Sequence, residues 1–219
     1  MVKLIIQKGK LELAEYSEDT TLAALLDATE SFVASHKVKS VRCRMCGECC
    51  SREPVLGLDM ILLAAREGVS VREWASARLM EPVFPDLAAR EKLIREFRAQ
   101  TGMSELDATK LYEYNQSEPL SFRQDENERC LYQKDNLCTN YANRPFICKL
   151  YLCGFGEKFQ ALEEMIVAQG TWHAYSLLSA VPEELIKHNP FIGAKSYDEL
   201  LLKDFEFNPD GAEELFFYF

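Results

Sequence analysis

At 219 residues and 47 % apolar content, the chain is long enough to bury a core and needs no cysteine staples of the mini-protein kind. Its formal charge of −10 argues against nucleic acid as a main partner, and no stretch is long and apolar enough to span a membrane. The apolar run after Met1 is too short for a signal-peptide core, so a cytoplasmic, reducing compartment is expected, where thiols stay available to metal.

In chain order, residues 2–14 alternate around Lys8-Gly9-Lys10, which predicts a short hairpin. Residues 21–36 place Leu22, Leu25, Leu26, Phe32 and Val33 on one helical face. A loop then carries Cys43, Cys46, Cys49 and Cys50 in the spacing C-x2-C-x2-C-C, with Gly47 inside it. Residues 58–67 predict a helix stopped by Gly68, and Ser70 with Glu73 forms a capping-box signature for a helix to about Met80. Pro85-Asp86 opens a helix ending near Gly102, and Ser104 with Asp107 begins another through Tyr114.

The stretch 119–153 changes character. Leu120–Phe122 and Cys130–Tyr132 predict short strands, with a turn at Lys134-Asp135-Asn136. The second cysteine group, Cys130, Cys138, Cys148 and Cys153, surrounds Arg144-Pro145 in irregular chain. Residues 157–169, 171–179 and 182–188 return to helical patterns, and the tail Leu215–Phe219 is apolar, with packing on the core the expected role. The fold class expected is mainly α with small β hairpins: an irregular cysteine-rich core surrounded by helices. The expected organisation is one domain over 1–219, with a metal-binding core at 43–153 and a helical insert at about 54–118.

No packing rule asks for four thiols in eight residues, whereas a soft metal needs converging thiolates. All eight cysteines, Cys43, Cys46, Cys49, Cys50, Cys130, Cys138, Cys148 and Cys153, are the expected ligands. Two zinc sites of four thiolates satisfy the count, but only the first group has a C-x2-C knuckle. Adjacent Cys49 and Cys50 fit one tetrahedral ion poorly, because neighbouring side chains in extended chain point apart. C-x2-C-x2-C suits three corners of a four-iron cluster, so a 4Fe–4S cluster is the favoured cofactor and Zn²⁺ the alternative. Disulfides are the least favoured reading for a reducing compartment. The isolated His36, His173 and His188 are expected at the surface or as caps. Arg42, Arg44, Arg52, Arg129, Lys134, Arg144 and Lys149 lie near cysteines, where their charge would offset that of thiolates.

The pattern resembles the CxxCxxCC cysteine-cluster family of zinc- or iron-chelating domains. The resemblance rests on Cys43, Cys46, Gly47, Cys49 and Cys50, then Cys130, Cys138, Tyr141, Arg144-Pro145, Cys148 and Tyr151. It departs at Leu152, where a proline is expected, and Cys153 follows. The resemblance implies metal binding without fixing a reaction. The motif also occurs in flagellin lysine N-methylases, but this chain shows no G-x-G-x-x-G nucleotide signature, so methyl transfer is the minority reading. Iron–sulfur redox, electron-transfer or cluster-dependent chemistry is expected first, a zinc-based interaction module second. A protein partner is expected in either case. Tyr141 and Arg144 are candidates for orienting the ligand loop, Tyr141 equally for plain core packing, and Pro145 for stiffening it.

Overall fold

The computed structural model describes residues 1–36, 50, 53–150 and 154–206. Strands β1 (Val2–Gln7) and β2 (Lys10–Tyr16) pair antiparallel, and Lys8 and Gly9 turn between them at φ 51° and 78°. Both positive φ values fit a tight hairpin turn, whose twist matches that of the strands. Helix α1 (Leu22–His36) packs against β1.

Four helices follow: α2 (Gly57–Glu67), α3 (Val71–Arg78), α4 (Arg90–Thr101) and α5 (Glu105–Asn115). The sequence signals act where they stand. The Ser70 hydroxyl accepts the Glu73 amide, while Glu73 accepts the Ser70 amide at 3.0 Å. Gly68 and Gly102 end α2 and α4 at φ 69° and 72°, the left-handed region that favours glycine. The helix expected from Pro85-Asp86 begins as a 3₁₀ turn, with Asp86 capping Ala88, before α4 proper.

Strands β3 (Gln133–Lys134) and β4 (Leu137–Cys138) make a second hairpin, turned by Asp135 and Asn136. The expected strand at 120–122 is reduced to single bridges, Ser121 with Pro54 and Phe122 with Leu79. That at 130–132 is likewise a single bridge, Cys130 with Gln124. Helix α6 (Phe146–Leu150) precedes α7 (Glu157–Leu177). The two helices expected at 157–169 and 171–179 are one, because Gly170 sits within the ladder and admits Leu56 to the helix surface. A Cβ there would lie 2.8 Å from Leu56 Cδ2. Residues 183–186 form a 3₁₀ turn.

Helix α7 is the organising element. Its first half gives Phe159, Leu162, Met165 and Ile166 to a core shared with β2, α1 and α6. Its second half gives Trp172, Ala174 and Tyr175 to a core shared with α2 to α5. Ala168 through Tyr175 are buried without interruption, as expected of a helix enclosed on all sides. Glu12 on β2 accepts the Phe159 amide at 3.0 Å and so caps α7. The hairpin also holds the chain beside Cys153: Leu11 donates to the Gly154 carbonyl at 2.8 Å and accepts from Gly156 at 2.7 Å. Among the described residues, no helix is long and apolar enough to cross a membrane. The expected role of the apolar tail falls on 207–219, outside the described residues.

Two histidine expectations are corrected. His173 is a core residue, 4 % exposed and stacked on Phe191. His188 lies 3.2 Å from the fully buried Glu113 carboxylate, which also accepts from Gln169 at 2.8 Å. His36 remains at the surface, with its ring nitrogen Nδ1 3.0 Å from the Phe32 carbonyl.

Candidate metal centre

The two cysteine groups approach each other through ordinary local structure. Beyond Glu53, Pro54–Val55 pairs with Leu120–Ser121, the Val55 amide donating to the Leu120 carbonyl at 2.7 Å. This fixes the backbone beside Glu53. Cys130 follows a loop closed by Asp125, whose carboxylate accepts the Asn127 and Arg129 amides. The Gln133 amide returns to the Cys130 carbonyl at 2.7 Å, and β4 then sets Cys138 opposite Gln133.

Arg144 holds φ −59° and ψ 141°, the extended geometry required before proline. Pro145 leads directly into α6, which carries Cys148. The Phe146 amide has no helical partner at this position, and the buried Asp59 carboxylate accepts it at 2.9 Å. Asp59 also accepts from the Leu56 amide at 3.1 Å and from the Tyr197 hydroxyl at 2.8 Å. One carboxylate thus caps both α2, which follows Cys50, and α6, which carries Cys148.

Cys50, Cys130, Cys138 and Cys148 all line one cavity of about 300 Å³. Phe122, Tyr132, Leu137 and Pro145 supply apolar walls, and Glu53, Gln133 and Arg144 supply polar groups. The cavity is far larger than one bare ion and lies at the small end of the ligand-pocket range. Among the described residues, the thiols line the walls without three His, Cys, Asp or Glu side chains closing on a single point. Cys43, Cys46, Cys49 and Cys153 lie outside the described residues, as do Arg42, Arg44 and Arg52. Cys130, Cys138 and Cys148 form no disulfide among the described residues.

Burial pushes the Cys148 thiol well above the usual range, and the nearby Glu53, Asp59, Cys130 and Cys138 push it further. Cys130 is raised chiefly by burial, against a lowering hydrogen bond from the Tyr132 amide. Burial, then the neighbouring Glu163, lifts Glu53 to about 8. Without metal, burial therefore favours the neutral forms of Cys130, Cys148 and Glu53. A cation is what converts such a set into thiolate ligands. The donor set, sulfur-rich in an apolar pocket, fits zinc or iron.

Arg144 lies 3.8 Å above the Tyr141 ring and donates to the Cys148 carbonyl at 3.1 Å. It therefore braces the loop and helix that bear Cys148. Tyr141 is 66 % exposed, which rules out core packing and leaves it as the platform for Arg144. Arg129 is engaged by Asp125 at 2.9 Å, so its charge is directed to its own loop rather than to sulfur. Sequence reasoning missed Glu53, Gln133 and Asp59. Glu53 had one signal, its place three residues after Cys50, while Asp59 resembled any acid in a first helical turn.

The model of the CxxCxxCC family, described as "Putative zinc- or iron-chelating domain", matches residues 42–165. The span contains all eight cysteines, the helices α2 to α6 and the start of α7. Comparisons with curated proteins and with solved structures yield no match. With more than half of its length matched, and with thiols from both cysteine groups facing one cavity, the chain belongs to the CxxCxxCC family of zinc- or iron-chelating domains.

Proposed function

We propose that the protein holds an iron–sulfur cluster of the 4Fe–4S type through cysteines drawn from both groups, and that the cluster serves redox, electron-transfer or cluster-dependent chemistry. The observation that carries this reading is the shared cavity. Cys50 from the first group and Cys130, Cys138 and Cys148 from the second line about 300 Å³ of space with apolar walls. A mononuclear tetrahedral zinc site is closed tightly by four ligands about 2.3 Å from the ion and leaves no such room. A cluster with its own sulfides is larger and suits thiols that stand apart on the cavity walls.

Purification under anaerobic conditions tests this reading. The expected result is brown protein with broad visible absorption from sulfur-to-iron charge transfer, containing iron and acid-labile sulfide in equal amounts. Colourless protein with stoichiometric zinc and no sulfide overturns the cluster and establishes the zinc module in its place.

A further inference from the structure

We infer that Glu53 is an oxygen ligand of the metal centre, which makes the site a mixed thiolate–carboxylate one rather than all-cysteine. The inference rests on metal binding at the cavity, and it holds for either iron or zinc.

Glu53 is 8 % exposed and lines the same cavity as Cys50, Cys130, Cys138 and Cys148. Its backbone position is fixed beside the Pro54–Ser121 bridge, so the side chain is anchored at the cavity wall. Among the described residues, no cation and no hydrogen-bond donor is paired with its carboxylate. Among the described residues that line the cavity, Arg144 is the cation, and its guanidinium is stacked on Tyr141 and donates to the Tyr141 and Cys148 carbonyls. The neighbour that α7 brings toward Glu53 is another acid, Glu163. Buried carboxylates are tolerated when a cation or a metal meets them.

A second group in the cavity points the same way. Gln133 lines it, and the side-chain oxygen Oε1 is buried without a donor among the described residues. Glu53 and Gln133 thus line a thiol-bearing space in which, among the described residues, the carboxylate has no cation and the Gln133 oxygen no donor. A metal ion carrying a water or hydroxyl ligand supplies both. Oxygen is a harder donor than sulfur and holds zinc or iron less firmly than thiolate does. Glu53 therefore marks the coordination position most open to exchange with a small anionic ligand.

X-ray absorption at the metal edge tests the assignment on anaerobically purified full-length protein, comparing wild type with Glu53→Ala and Glu53→Gln. The expected wild-type shell contains sulfur plus a shorter oxygen contribution, zinc–oxygen lying about 2.0–2.2 Å and zinc–sulfur about 2.3 Å. Both variants are expected to release metal to a chelator at least about tenfold faster, with far-UV circular dichroism unchanged. An all-sulfur wild-type shell overturns the assignment, as does release from both variants at the wild-type rate. Zinc in place of iron removes the cluster reading and leaves the Glu53 assignment standing on the zinc edge. Protein that holds neither metal overturns both.

Discussion

The Asp59 carboxylate accepts the amide of Phe146, 87 positions further along the chain, at 2.9 Å. The same group caps its own helix through Leu56 and receives the Tyr197 hydroxyl. Asp59 therefore holds α6, and with it Cys148, to the helix that follows Cys50. Asp59→Ala leaves two helix-terminal amides and a buried hydroxyl without their acceptor. A loss of about 2 kcal/mol or more is expected, read from the urea midpoint at pH 7. Metal content should fall as well, because Cys148 loses its anchor. Asp59→Asn keeps one oxygen acceptor and should lose less of both. An Asp59→Ala protein with wild-type midpoint and metal content would remove the clamp from the account.

Acid should act on His173 and Asp59 in opposite directions. Burial pushes His173 down to about 4 from the usual 6.5, so the folded state holds it neutral. Its contribution is complete above pH 6.5 and is lost as pH falls through the folded value. Relative to His173→Gln, the wild type should lose about 3 kcal/mol between pH 7 and pH 4. Burial pushes Asp59 up to about 6 from 3.8, so protonation favours the folded state. Relative to Asp59→Asn, the wild type should gain about 2 kcal/mol over the same interval. Urea midpoints of the two pairs across this range measure both slopes, and slopes of the same sign would show that burial does not control them.

Close packing sets the next expectation. A Cβ on Gly57 would stand 2.6 Å from His173 Nδ1 and 2.8 Å from the Ala174 backbone nitrogen. The ring could shift, but the backbone of the central helix cannot. Alanine has the better helix propensity by up to about 1 kcal/mol. Overpacking costs about 1–3 kcal/mol, so the clash decides the sign. Gly57→Ala should lower the melting temperature, and an unchanged or higher value would place α2 farther from α7.

The helices were legible because their signals are local. Ser70 with Glu73, Ser104 with Asp107, and the two terminal glycines each act within one turn, and the helices begin and end within a few residues of them. The continuity of α7 was not legible, since Gly170 reads as a break until Leu56 is seen packed against it. His173 likewise looked like a surface residue because its burial depends on α2 and Phe191, remote in sequence. At the site, the cysteines announce themselves by spacing. Asp59 and Glu53 do not, because their meaning comes from which distant groups converge on them.

The shared cavity makes a demand on metal loading that separate sites would not. Cys50 belongs to the first cysteine group and Cys148 to the second, yet both face the same space as Cys130 and Cys138. If their thiolates serve one centre, removing either one affects the whole centre rather than half of the metal. Cys50→Ser and Cys148→Ser should therefore each lose metal from the common centre, and the double variant should lose little more than the worse single one. Neighbouring groups that act together give such non-additive losses, whereas independent sites add. Metal content and chelator-release rates of the four proteins, wild type included, provide the measurement. Metal losses that sum in the double variant, with each single variant keeping the other group's share, would divide the cavity into two separate sites.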